Sequence, residues 1–441
     1  MGYYVTPSGV SALKAYKYSG ADLSLTYKYI LSPFAQACVD WFTPLWVAPN
    51  TITGLGLLWM VAAYLIMLFY APTFSEGLVA STLNIPGEVP EESGAVPRWV
   101  YLFNAFAMVI YQTLDNMDGK QARRTGSSSP LGMLFDHGCD AINSPMGSIN
   151  WCVAMAIGPS IPLVLFWTLI ASAIPFYIST WEEYYTGALV LPIINGPSEG
   201  LLLGASLSVV SYVSGPQFWH SYTFSDAGVS AAGVSAALAA ATEYVPAIAE
   251  YVPAITDTIA EYVPATGFRN YELCIMLAAL CAIQEMSLKT ASVVYKYGLS
   301  PLGNLLPFLS LLSCCVFCHI QQPSLVANNP RFCMLLFGLN FVEMVCGLML
   351  DHMLHKSFKK IRSSMIPFYA LAATLWFSNN VTPVITSSGA ETFLHMYLAG
   401  AASHLAFKLA VVVEEICEAL DIWCFDIVTP RGKRANKKKG Q

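Results

Sequence analysis

Four aspartates stand in two pairs within one short stretch, DNMDGKQARRTGSSSPLGMLFDHGCD at 115–140. Asp115 and Asp118 are three residues apart and share one face of a helix; Asp136 and Asp140, four apart, share a face of the next. RTGSSSP at 124–130 reads as a tight connection, with Gly126 and Pro130 breaking the helix. Two antiparallel helices joined there bring the four carboxylates together, Asp118 and Asp136 each lying roughly 10 Å from the turn. Carboxylates that close are not all ionised without a counter-charge. Either some are protonated or cations hold them together, and hard oxygen ligands suit Mg²⁺ or Mn²⁺. Four aspartates suffice to bridge two such ions, and a two-metal site grips both the attacking and the leaving side of a phosphoryl group. Gly119, Ala122 and Gly132 are small enough for a phosphate-bearing ligand to approach the helix backbones. Arg123 offers a planar fork for phosphate oxygens. The rival reading is a helix pair with aspartates at exposed ends, balanced by Lys120, Arg123 and Arg124. It fits poorly, because both Asp pairs sit opposite small residues inside an apolar chain.

The elements that position these residues follow from composition. Of 441 residues, 55% are apolar and only 11% charged, whereas soluble domains carry roughly 25% charged residues. That excludes a soluble globular enzyme, a disordered chain and a nucleic-acid binder, which needs a basic face. The class left is an all-α polytopic integral membrane protein. A span needs about 20 mostly apolar residues. Ten candidates lie near 51–71, 99–121, 131–156, 160–180, 199–214, 270–292, 303–320, 332–353, 365–380 and 390–417. Acidic residues in the ends of the second and third mark those two as functional. Ten spans put both termini on one side, and lysine and arginine fix which side that is. Lys14, Lys17, Lys28, Lys120, Arg123 and Arg124 fall together, as do Lys289, Lys296, the cluster at 356–362 and the tail 431–439. Only Arg98, Arg269 and Arg331 fall opposite, and Lys408 lies within the last span. Both termini and the aspartate cluster are therefore expected at the cytosolic face.

The chain divides into a cytosolic N-terminal segment with an interfacial helix (1–45), catalytic helices (46–214), a low-complexity lumenal insertion (215–268), the remaining spans (269–425) and a basic cytosolic tail (426–441). The insertion has no Lys or Arg, contains GVSAA twice and EYVPA three times, and is expected to be loose and unrelated to chemistry. The end of the tail, Lys438-Lys439-Gly440-Gln441, resembles a dilysine retrieval signal. Of the 12 cysteines, Cys314, Cys315 and Cys318 lie in an apolar run; with no second pair at zinc-site distance they read as packing residues. Asp351, His352 and His355 are expected to form an interfacial polar cap.

Read as D-x2-D-G-x2-A-R-x8-G-x3-D-x3-D, the stretch from Asp115 to Asp140 resembles the signature of the CDP-alcohol phosphotransferase family at every fixed position. APNTITGLG at 48–56, WEEYYTG at 181–187, the length and the ten spans look like its eukaryotic choline/ethanolamine phosphotransferase branch. The resemblance implies that Asp115, Asp118 and Asp136 are the main ligands of two Mg²⁺ or Mn²⁺ ions, with Asp140 on the second ion or acting as base. Gly119, Ala122, Arg123 and Gly132 would line the CDP pocket. Asn50 and Thr53 would either reach the nucleotide or cap the first span. Among Glu182, Glu183 and Glu199, one would help deprotonate the acceptor or receive a cationic head group; Glu199 is favoured as the base. Trp181, Glu182 and Tyr184 are the candidate head-group contacts. The implied reaction moves phosphocholine or phosphoethanolamine from CDP-choline or CDP-ethanolamine to diacylglycerol, with release of CMP. It is the final step of the CDP-choline/CDP-ethanolamine (Kennedy) pathway, in the endoplasmic reticulum membrane or the Golgi; a homodimer is left open. Two rivals remain: another branch, such as phosphatidylinositol synthase, whose members are typically about half this length, and an ion-coupled transporter.

Overall fold

The computed structural model describes residues 2–72, 74, 96–158, 162–222 and 268–431, with short pieces at 239–240, 249 and 252–253. Most of the insertion and the dilysine end lie outside the described residues. The described residues are mostly helical. Helices α1 (Pro7–Ala15) and α2 (Ser32–Phe42) precede α3 (Pro49–Tyr70), α4 (Arg98–Thr125), α5 (Pro130–Ala154), α6 (Pro162–Thr186) and α7 (Leu201–Ser214). After the insertion come α8 (Asn270–Tyr297), α9 (Leu306–Gln321), α10 (Pro323–Asn328), α11 (Pro330–Met353), α12 (Ile366–Asn380) and α13 (Ser387–Leu420). Proline stands in the first turn of α3, α5, α9, α11 and α12. There its missing N–H is one that would have had no partner within the helix anyway.

Each of the ten stretches expected to span falls on a helix. Five helical stretches are long and apolar enough to cross a bilayer by length and composition: Pro49–Tyr70, Asn270–Tyr297, Ser300–Gln321, Pro330–Met353 and Ser387–Leu420. The chain is thus a polytopic all-α membrane protein. Helices α4 and α5 are less apolar because they carry the aspartates and their polar neighbours. Helices α7 and α12 are short, at 14 and 15 residues.

Helix α3 packs on α4 and α5, α4 on α7, α5 on α6 and α11, α6 on α8, and α11 on α13. The most enclosed of the apolar helices is α11, with 83% of its most apolar stretch buried, against 17% for α8 and 22% for α13. It forms a central post, while α8 and α13 turn leucines and phenylalanine outward (Leu277, Leu280, Phe407), as lipid-facing helices do. A Cβ added to Gly338 of α11 would stand 2.9 Å from Pro145 of α5. That glycine lets the post press against the helix bearing Asp136 and Asp140, the small-residue route to close packing in membranes.

The N-terminal segment is tied to the bundle in a way hydropathy does not foretell. Strand β1 (Gly20–Asp22) pairs in parallel with β2 (Leu189–Leu191), just after α6. Helix α2 buries Ala35 and Val39 and exposes Phe34, Trp41 and Phe42, the division of an interfacial helix. All twelve cysteines are free, and Cys315 and Cys318 are buried on α9. Asp351 lies 3.5 Å from Arg362, and His352 packs edge-on to Tyr16.

Candidate active site

Helix α4 ends as its sequence predicts. Gly126 takes the left-handed conformation at φ 66°, and Ser127 N–H closes back on the Ala122 carbonyl at 2.9 Å. Three residues later the Ser129 hydroxyl accepts from the Gly132 N–H at 3.1 Å and starts α5. The connection returns the chain so that Asp115, Asp118 and Asp136 each offer one oxygen within 4.8 Å of the others. Asp115 Oδ1 and Asp136 Oδ1 are buried with no hydrogen-bond partner among the described residues. An unpartnered carboxylate oxygen in an apolar protein is costly, and a shared divalent cation is the partner that fits hard oxygen donors at this spacing.

Two neighbours hold the cluster. Thr53 Oγ1, on α3, donates to Asp118 Oδ2 at 2.5 Å. Tyr111 donates its phenol proton to Asp140 Oδ1 at 2.5 Å. Asp140 stands outside the tight group of three. The capping role weighed for Asn50 and Thr53 does not occur: Ala48 occupies the cap position of α3, with no side-chain bond. Asn50 instead donates to the Cys424 carbonyl at 3.0 Å and lies beside Gly132.

The basic residues separate by function. Lys120 donates to Ser32 at 2.8 Å, and Arg124 donates to the carbonyls of Val39 and Thr43 at the end of α2. Both anchor α2 rather than balance the aspartates. Arg123 is exposed, makes no such bond among the described residues, and reaches along the helix past Gly119. A Cβ added at Gly119 would meet only the Arg123 guanidinium, 3.5 Å away. The small residue there leaves space unfilled by protein.

The other expected residues are placed as follows. Glu199 accepts from the Ser24 hydroxyl and from the Asn195 N–H, the latter at 2.9 Å. Its loop is held to α4 by Gln112, which donates to the carbonyls of Pro197 and Ser198. Trp181 is fully buried and donates to the Pro301 carbonyl. Glu182 pairs with Lys289 at 2.9 Å, and the Tyr184 hydroxyl donates to the Lys356 carbonyl. Among the described residues, none of these four shares a hydrogen bond with the aspartates.

Sequence reasoning missed three residues. Tyr111 lies one helical turn before Asp115, and its type gave no signal. His137 sits inside the quoted FDHGCD motif; its Nδ1 is 3.5 Å from Asp136 and otherwise unpartnered. Tyr18, from the N-terminal segment, packs edge-on to His137 at 6.2 Å. Partial burial of the phenol, then the charges of Glu183, Asp136 and Asp140, push its pKa up, so it stays protonated at neutral pH.

The sequence model of the family described as CDP-alcohol phosphatidyltransferase matches residues 46–188, which hold α3 to α6 and the whole aspartate cluster. The chain belongs to this family and is a CDP-alcohol phosphotransferase enzyme. It is 32% identical over 432 residues to choline/ethanolaminephosphotransferase 1 of Arabidopsis thaliana, covering 96% of this chain and 98% of that one. It is 30% identical over 440 residues to choline/ethanolaminephosphotransferase 2 of the same plant, covering 96% and 98%. Choline/ethanolaminephosphotransferase 1 of Saccharomyces cerevisiae is 38% identical over 225 residues, 51% of this chain and 52% of that one.

Proposed function

We propose that this enzyme transfers phosphocholine or phosphoethanolamine from CDP-choline or CDP-ethanolamine to diacylglycerol, releasing CMP, as the last step of phosphatidylcholine or phosphatidylethanolamine synthesis by the Kennedy pathway. The endoplasmic reticulum is the proposed membrane, with the site facing the cytosol. The observation that carries the reading is the group of three aspartates within 4.8 Å, two of whose oxygens are buried without partners. Full-length similarity to two choline/ethanolaminephosphotransferases supports the choice of head group.

Asp115, Asp118 and Asp136 would hold Mg²⁺ or Mn²⁺, with Asp140 at the edge of the same site. Bound there, two divalent ions would neutralise the pyrophosphate and stabilise CMP as it leaves. Arg123 takes a phosphate oxygen with its guanidinium. Gly119, Ala122 and Gly132 let the nucleotide lie against the helix backbones. Asp140, oriented by Tyr111, accepts the proton of the diacylglycerol hydroxyl. The freed oxygen attacks the β-phosphorus, and the bond to the CMP oxygen breaks. Glu199 is committed to Ser24 and Asn195, which favours Asp140 as the acceptor of that proton. Most of the rate then comes from positioning and electrostatics.

The test is release of CMP by purified protein from radiolabelled CDP-choline and CDP-ethanolamine. Release should need both diacylglycerol and Mg²⁺ or Mn²⁺, and chelation should abolish it. Turnover seen only with CDP-diacylglycerol and inositol would overturn the head-group assignment.

A further inference from the structure

Beyond Asp140, helix α5 carries Asn143, Ser144, Ser148 and Asn150, and three of these have partners. Asn150 donates to Asn104 Oδ1 at 2.9 Å, and Asn104 donates to Ser208 Oγ at 2.9 Å. Ser144 and Ser148 both bond Ser172 of α6, at 3.1 and 2.8 Å. Asn143 is different. It is 4% exposed, and its Oδ1 is buried with no hydrogen-bond partner among the described residues. A buried amide oxygen left in that state is unfavourable unless a donor reaches it.

Helix phase places Asn143 relative to the aspartates. Positions 136, 140, 143 and 147 recur at i, i+4, i+7 and i+11, so Asn143 shares the face of Asp136 and Asp140. Helix α4 touches this face on either side of Asn143. The Tyr111 hydroxyl donates to Asp140 at 2.5 Å, and a Cβ added to Gly147 would stand 3.9 Å from the side chain of Met108, one turn earlier on α4. Asn143 lies between these two contacts. It is about 4.5 Å farther along the helix axis than Asp140, away from the connection at 126–130. Met108 and Tyr111 belong to a buried apolar cluster with Met60 and Ala63 of α3. The surroundings on that side of Asp140 are therefore apolar, with one unpaired acceptor oxygen among them.

We propose that Asn143 Oδ1 receives the hydroxyl of the acceptor lipid and is the contact that selects an alcohol from the surrounding bilayer. This rests on the reaction proposed above and names the residue that reads its second substrate. Diacylglycerol carries one hydrogen-bond donor, its free hydroxyl; its ester oxygens only accept. That donor matches an unpaired acceptor in apolar surroundings, one helical turn deeper than Asp140. Asn143 takes no proton. It docks the hydroxyl beside the Asp140 carboxylate, to which the proton then passes, so its effect falls on acceptor affinity. A lipid without the hydroxyl would leave Asn143 buried and unpaired, and the site rejects it for that reason.

Displacement of a diacylglycerol with a fluorescent acyl chain from the protein in nanodiscs, with no CDP-alcohol present, tests this apart from turnover. The competitors are dioleoylglycerol and propanediol dioleate, the same lipid lacking the hydroxyl. Wild-type protein should bind the alcohol tighter by about tenfold or more. Asn143→Leu should bring the two within about threefold by weakening the alcohol alone, while calorimetry finds its CDP-choline affinity at the wild-type value. Equal affinity of wild type for both competitors overturns the proposal and needs no variant to fold. An Asn143→Leu protein that keeps the full preference overturns it too. So does one that loses both lipids equally, which is the result of a packing role. Should the separate turnover assay show that diacylglycerol is not the acceptor, the reaction falls, and the hydroxyl preference is decided by its own measurement.

Discussion

Tyr111 and Asp140 face one another from α4 and α5, the phenol proton on Asp140 Oδ1 at 2.5 Å. The bond fixes one oxygen of Asp140 and leaves the other to receive a proton. Asp140→Asn should keep the fold and nucleotide binding and lower CMP release by about 10²- to 10⁴-fold, the usual range for loss of a general base. Tyr111→Phe should lose only the orientation, with kcat down about tenfold and KM for CDP-choline little changed. Near-normal turnover in Asp140→Asn would remove Asp140 from proton transfer and turn attention to His137, whose Nδ1 lies 3.5 Å from Asp136.

Thr53 lies 65 residues before Asp118 and holds one of its oxygens at 2.5 Å. Residues that orient metal ligands typically contribute 10- to 100-fold in metal affinity, roughly. Thr53→Val should therefore raise the Mg²⁺ concentration needed for half-maximal turnover by about that factor, with the rate largely restored at saturating metal. A magnesium titration of CMP release reads this directly. An unshifted curve would mean that the hydrogen bond only packs α3 against α4.

The aspartates, their helices and the turn between them were legible because each rests on local rules: i to i+3 and i to i+4 spacing, a glycine at a helix end, a proline at a helix start. Five of the expected spans were legible because apolar length is itself the signal. What the sequence concealed is contact between distant segments. Lys408 stood out as a charge within the last span, but its partner Glu343, 2.5 Å away, is named by no spacing rule. The β1–β2 pairing spans three residues, too few for an alternating pattern. Thr53 was read as a nucleotide contact or a cap because nothing local linked it to Asp118. The parts of the site made by one hairpin could be read; the parts brought from elsewhere could not.

Glu343 and Lys408 join α11 to α13, and both are buried, 7% and 8% exposed. The Ser364 hydroxyl adds a hydrogen bond to the second Glu343 oxygen at 3.2 Å. Lys408→Met would strand the carboxylate and should cost about 3–5 kcal/mol, read as a lower melting temperature in detergent. The double variant Glu343→Gln with Lys408→Met should recover most of that loss, because no charge is left without its partner. If the single and double variants melt alike, the pair is spectator rather than strut.

Glu415, near the end of α13, gathers the backbone N–H groups of Tyr3, Tyr4 and Val5, the last two at 2.8 and 2.7 Å. Lys356 donates to the Tyr4 carbonyl at 2.6 Å. This latch holds the N-terminal segment whose Tyr18 packs edge-on to His137. Hydrogen bonds to a charged group contribute roughly 1.5–3 kcal/mol each, so Glu415→Ala should open the segment locally without unfolding the bundle. Amide exchange at Tyr4 and Val5 should accelerate by about tenfold or more. CMP release should fall severalfold, through a higher KM for CDP-choline. The same exchange rates in wild type and variant would show that the segment is held by its β1–β2 pairing and by the packing of α1 on α11 and α13 alone.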